Sequence, residues 1–260
     1  MYGFARKALF AALLAGTAGP ALAADYFEEP IEVVPEVVGG WYIRGHIGMS
    51  NQFFDGLESD LFDTADDYGW HDEGGFSSAP IFGGGIGYQF NDNLRGDLTV
   101  EWRGKSDFNA LDWVLNDELD PDLATNDYRA KKSELVFMAN GYYDFASFSG
   151  ITPYVGAGIG ASYNTISGFR DINIIRGGGG YADDESEWNL AWALHAGLGF
   201  QATDRMTIDL GYSFISLGDA STGTLHNDDG VSFPEGLDEN IEFNDIYSHD
   251  FKLGVRYSLN

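Results

Sequence analysis

Eleven charged residues recur at every second position of otherwise apolar segments, and they are the residues whose type and spacing could do chemistry. The bases are Arg44, Arg95, Arg103, Lys252 and Arg256; the acids are Asp97, Glu101, Glu134, Asp144, Asp209 and Asp250. A spacing of two places side chains on one face of a strand, so these charges share a surface. If that surface lines a narrow interior, an unpaired ion there is costly, and the residues must form ion-paired networks. Pairs are expected between Glu101 or Arg103 and Glu134, and between Arg44 and Asp250. Such a lumen has two readings: a salt-bridged plug, or a narrow ion-selective path.

Residues that could serve catalysis, or metal or phosphate binding, lack the required spacing. His249 alternates with Ser248 and Asp250, so a histidine base and a hydroxyl nucleophile fall on opposite faces, and the geometry needed for nucleophilic catalysis fails. His195 faces the lumen beside Gly197 and Gly199, where a hydrogen-bonded interior role is expected. The glycine clusters at 83–85, 156–160 and 177–180 do not open a helix with the spacing of a phosphate-binding loop. Acids such as Asp55, Glu58, Asp60 and Asp63, or Asp228 and Asp229, lack the register of a calcium-binding loop. No catalytic, cofactor or metal site is expected, and the chain is read as a non-enzyme.

The elements that position the eleven charges follow from periodicity. From Gly40 onward eight segments alternate, for example Trp41, Ile43, Gly45, Ile47 and Met49 against Tyr42, Arg44, His46, Gly48 and Ser50. In the third, Leu94, Gly96, Leu98, Val100 and Trp102 interleave with Arg95, Asp97, Thr99, Glu101 and Arg103. The other six run near 81–90, 134–145, 153–164, 188–201, 206–215 and 247–259. Short connections at 91–93, 146–151 and 202–205 alternate with long ones. The long stretches 51–77, 106–130, 165–187 and 217–246 hold 28 of the 41 acids, so negative charge gathers at one end.

The bulky face carries aromatics at its ends: Trp41, Phe90, Phe145, Phe200 and Tyr257 near the short turns, and Trp102, Tyr163, Trp188 and Phe214 near the long loops. Two such rings are expected where a barrel meets the two interfaces of a bilayer. The pattern predicts an all-β fold: an eight-stranded antiparallel transmembrane up-and-down β-barrel, closed by pairing the first strand with the eighth so that no edge amide is left in hydrocarbon.

Composition and charge agree. With 41 acids against 14 bases and a net charge of −27, the chain repels nucleic-acid phosphates. At 44% hydrophobic residues it is too apolar to be a disordered acidic chain. Arg6 and Lys7, an apolar run from Ala8 to Ala15, and Ala21-Leu22-Ala23 read as a cleavable export signal over 1–23. Residues 24–39 are then expected to form a periplasmic linker and 40–260 the barrel domain.

Ala23-Ala24-Asp25, the acidic Pro-containing linker, Gly40-Trp41-Tyr42-Ile43, Gly87-Tyr88-Gln89-Phe90 and the run Thr152 to Gly160 resemble the small outer-membrane β-barrel proteins of alphaproteobacteria, the opacity-protein-like surface antigens often grouped as a porin family. The resemblance covers the whole chain after the signal. It implies residence in the outer membrane of a Gram-negative bacterium and a structural, surface-exposed role with acidic outer loops. A small ion or solute channel is the alternative, and a lipid-modifying enzyme a lesser one. It also implies recognition by the barrel-assembly machinery through the terminal strand, which ends in Tyr257-Ser258-Leu259 and departs from the pattern by having Leu where Phe is usual. The expected partners are outer-membrane lipid and lipopolysaccharide, with divalent cations as bridges from the acidic loops. No cofactor, nucleic-acid partner or oligomeric state is implied.

Overall fold

The computed structural model describes residues 39–60, 62, 67–115, 125–175, 177–230 and 240–259. The export signal and nearly all of the linker lie outside them. Among the described residues twelve strands follow in order: β1 (Gly40–Phe53), β2 (Gly56–Glu58), β3 (Asp67–Phe76), β4 (Ala79–Gln89), β5 (Leu94–Leu115), β6 (Asn126–Asp144), β7 (Ile151–Asn173), β8 (Gly179–Ala182), β9 (Glu185–Gln201), β10 (Met206–Ser221), β11 (Leu225–Asn227) and β12 (Glu242–Ser258).

Eight of these close a ring. β1 pairs antiparallel with β4 through Ile43↔Ile86 and with β12 through Ile43↔Tyr257. From β4 the ladder passes through β5, β6, β7, β9 and β10 and back to β12. The predicted closure of first strand on last is therefore present, and every backbone edge in the hydrocarbon layer is satisfied by a neighbour. Trp41 to Phe53 on β1 rises about 30 Å along the barrel axis at ordinary strand rise and tilt, which spans an apolar band with its two interfaces.

Four strands run well beyond the segments that alternation marks out. β5 continues to Leu115, β6 begins at Asn126, β7 reaches Asn173 and β10 reaches Ser221, while β2, β3, β8 and β11 extend the sheet at the same end, β2 on β12, β3 on β5, and β8 on β7 with β11 beyond it. Much of what reads in the sequence as long loop is thus sheet. Extra residues interrupt the two-residue period in β5 between Arg103 and Ser106, in β7 between Ser167 and Arg170, opposite Lys131 and Arg129, and on both sides of Gly218, and so hide the extensions.

Polarity also inverts along the strands. Within the bilayer Leu98, Val100 and Trp102 of β5 point outward and Asp97, Glu101 and Arg103 inward. Beyond the shift Phe108 and Ala110 point inward, and Asp107 and Asn109 face out. The cause is the change of solvent: lipid requires an apolar exterior, whereas water above the membrane permits a polar exterior around a dry core. That core includes Phe76, Phe108, Tyr128, Phe169, Leu217 and Phe243. Phe54, Phe76, Phe108 and Phe243 pack ring against ring, with Phe108 and Phe243 centroids 4.9 Å apart. The barrel carries an aromatic cap over its outer mouth.

Candidate functional site

The inward face of the membrane-spanning strands is filled in layers. Nearest the short turns, Arg95 Nε donates to both carboxylate oxygens of Asp144 at 3.0 Å. The Arg95 guanidinium lies 3.9 Å from the Tyr142 ring centroid and 4.8 Å from that of Tyr154. Arg256 holds Asp209 through Nε at 2.7 Å and Nη2 at 3.0 Å. Arg44 donates to Asp97 at 2.8 Å and to the Tyr142 hydroxyl at 2.9 Å, while Tyr42 donates to the same carboxylate at 3.1 Å.

At mid-height Glu101 gathers three partners. Lys252 Nζ donates to it at 2.5 Å, Arg103 Nη2 at 3.0 Å, and His46 Nε2 lies 2.9 Å away. Asn140 donates to Asp97 at 2.8 Å, and His195 lies 2.8 Å from Ser213 and 3.1 Å from Asn140. Backbone makes room for these side chains. A Cβ at Gly83 would sit 2.4 Å from His46 Nε2, and one at Gly87 would sit 2.2 Å from Tyr42 Cζ.

The outermost layer crosses the lumen. Arg103 Nη1 and Nη2 donate to the two oxygens of Asp250 at 3.1 and 2.5 Å, and Ser248 donates to Asp250 at 2.6 Å. Glu134 pairs with Lys132 and accepts from Gln52 at 2.9 Å; Lys132 also donates to Gln52 at 3.1 Å. Lys132 Nζ lies 5.7 Å from the ring centroid of Phe76, so the ionic stack continues directly into the aromatic cap.

All eleven charged residues singled out in the sequence face this interior, and each makes an ion pair. The partners differ from two expectations. Arg44 does not pair with Asp250, because the β1–β12 register sets Arg44 beside Arg256 and brings Asp250 beside Ser50, six residues up the strand. Glu134 stands opposite Arg103 in the β5–β6 register, yet its ion pair is with Lys132, while the fork of Arg103 reaches across to Asp250 and Glu101. Lys132 is the main residue that sequence reading misses. It lies two residues before the alternating segment that opens at residue 134, on the same face of β6, whose alternation runs unbroken from Tyr128 to Asp144; continuing the two-residue period past residue 134 would have found it. His46, Gln52, Asn140 and Tyr142 are legible as lumen-facing, but their bonds depend on contacts across the barrel.

The ring exterior completes the site. Trp41, Phe90, Phe145, Phe200 and Tyr257 are exposed near the short turns, and Trp102 and Trp188 near the outer end. Trp188 packs against Tyr163 at 4.8 Å between centroids, and Phe214 stacks on Tyr247 at 5.6 Å. His249 does point outward, and its Nδ1 meets the Tyr212 hydroxyl at 2.7 Å rather than a serine.

A closed ring of eight strands, apolar and aromatic outside and ionic within, defines an integral β-barrel protein of a Gram-negative outer membrane. The chain belongs to the outer membrane protein beta-barrel domain family, which matches residues 8–258. It is 28% identical to an uncharacterised protein of Brucella abortus over 92% of this chain and 93% of the relative. It is also 28% identical to the outer membrane protein PagN of Salmonella typhimurium, over 85% of this chain and 90% of the relative. Among solved structures it is similar to neisserial surface protein A, at 15% identity and a TM-score of 0.45, covering 85% of this chain and 97% of that one.

Proposed function

We propose that the protein is a structural, surface-exposed component of the outer membrane whose lumen is plugged and does not conduct. The observation that carries this reading is the fill of the interior. The cavity bordered by Arg44, His46, Glu101, Asn140, His195 and Lys252 measures about 30 Å³. That is room for one or two waters. Above it lie the Arg103–Asp250 pair, with both side chains at 0% exposure, and the aromatic cap. An ion crossing this path would have to break buried pairs and then traverse a dry ring cluster.

The channel alternative needs a continuous wet path, and the ionic stack and cap argue against one. The reading assigns no catalysis to the chain, because the outward His249 is bonded to a tyrosine and not to an activatable serine. Lipopolysaccharide is the proposed partner of the outer surface. The barrel-assembly machinery is the proposed partner of the terminal strand, β12.

Purified protein in planar bilayers is expected to give no reproducible conductance steps. Regular open steps would reject the plugged lumen. Lipid A from cells that overproduce the protein is expected to be unmodified.

A further inference from the structure

We infer that one wall of the barrel, the outward face of β5, β6 and β7 just above the outer girdle, is the contact surface for the phosphates of lipopolysaccharide. The inference rests on the proposed lipid partner and specifies which side chains meet it. In so acidic a chain the position of the few bases is informative. Six of them point into the lumen. Among the described residues, every base that points outward above the girdle lies on this wall: Lys105, Arg129, Lys131 and Arg170.

Their height suits the task. Leu135 of β6 is in register with Trp102 and Tyr163 and so marks the girdle; Lys131 lies four residues beyond it, about 10 Å further out at ordinary rise and tilt. Lys105 sits three residues beyond Trp102, about 7 Å out by the same reckoning. The headgroup layer extends about 5–8 Å beyond the hydrocarbon edge, so Lys105 stands within it and Lys131, Arg129 and Arg170 stand successively just above it. In the outer leaflet the headgroups are phosphorylated sugars that continue outward from this layer, so the wall from Lys105 to Arg170 runs alongside them.

Their arrangement is also one that self-contained folding does not favour. Arg129 and Arg170 are direct cross-strand partners on the same outward face, with side chains 58% and 57% exposed. Like charges set directly opposite destabilise a sheet. Each has a carboxylate neighbour, Asp127 for Arg129 and Asp228 for Arg170, and Lys131 has Asp107. These are exposed pairs of the kind that contributes little to stability, so a phosphate can take the guanidiniums without a large loss. Two adjacent guanidinium forks offer more donors than one carboxylate uses, and a phosphate presents several acceptor oxygens to both. No ion pair involves Lys105 among the described residues.

The test is binding of labelled lipopolysaccharide to the full chain refolded in detergent, comparing wild type with the Lys105→Gln, Arg129→Gln, Lys131→Gln, Arg170→Gln fourfold variant. The variant is expected to keep its heat-modifiable gel mobility and to bind at least roughly tenfold more weakly. Wild-type affinity is expected to fall with added salt and with enzymatic dephosphorylation of the lipopolysaccharide. Millimolar inorganic phosphate is expected not to compete, since the lipid is held at bilayer height by its chains. Equal binding by the variant would overturn the assignment to this wall while leaving the lipid partner standing. No binding by wild type would overturn both. If the fourfold variant does not fold, the Lys105→Gln, Lys131→Gln pair gives the same comparison with two charges removed.

Discussion

Arg103 of β5 and Asp250 of β12 form a forked ion pair across the lumen, with both side chains fully buried and two strands, β4 and β1, between them around the ring. The pair ties two non-adjacent walls of the barrel at the level where the ionic interior gives way to the aromatic cap. Its cost and benefit are both large. Burying two charges is unfavourable by several kcal/mol per ion, and only close geometry with further hydrogen bonds recovers this. Here Ser248 and Glu101 supply those bonds.

Breaking one side of the pair is therefore expected to cost far more than removing both. Arg103→Met should destabilise the barrel by about 3–5 kcal/mol, because Asp250 and Glu101 lose a buried partner. The Arg103→Met, Asp250→Leu double variant should recover part of the loss. Urea midpoints followed by gel mobility measure both, and a double variant no better than the single one would show that the pair is not coupled.

Gly83 is expected to be intolerant of a side chain. A Cβ there meets His46 Nε2 at 2.4 Å, and Glu101 Cγ at 2.9 Å. Gly83→Val should lower stability by about 1–3 kcal/mol through overpacking. A second change, His46→Ala, should restore part of it by vacating the space, read from the same urea midpoints.

The cap should respond to pH through Asp171, which lies on the β7 extension above the membrane. Burial, and after it the neighbouring Asp112 and Asp228, push its carboxyl up to about 7 from the ordinary 3.8. A carboxyl whose folded pKa is raised binds its proton more tightly in the folded state. Its stabilisation is full below the unfolded value and is lost as pH rises through about 7. Amide exchange in β7 and β8 should therefore be slower at pH 5 than at pH 8 after correction for intrinsic rates. In Asp171→Asn that difference should shrink.

Removing a ring from the cap should loosen the outer end without opening the lumen. Phe243 is fully buried and packs against Phe54, Phe76 and Phe108. Phe243→Ala is expected to cost about 3–5 kcal/mol, placed in the cap, and to admit protease to the outer strands. Conductance should stay absent, since the Arg103–Asp250 layer lies beneath. Open steps in this variant would show that the cap alone seals the barrel.

Alternation made the eight staves legible from residues such as Leu94 to Arg103, because a two-residue period with unlike faces belongs to an extended strand set between two different surroundings. The same period set the eleven charges on one face of their strands, and in the structure each of them ion-pairs. What it could not read were the extensions. In β5 between Arg103 and Ser106, and in β7 between Ser167 and Arg170, the period slips by one residue, and on all three strands the inward face turns apolar above that level, so Phe108, Tyr128 and Phe169 read as loop aromatics when they build a core.

The sequence by itself determined the strands, their two faces, the closure of first on last and the membrane that the outer face requires, since each follows from local order and from the demand that backbone amides be paired in lipid. Only the tertiary structure decided which acid meets which base. Ladder register, barrel tilt and side-chain length bring Arg103 to Asp250 and Arg44 to Asp97 from strands far apart in the chain, and no spacing along the sequence encodes a distance across the lumen.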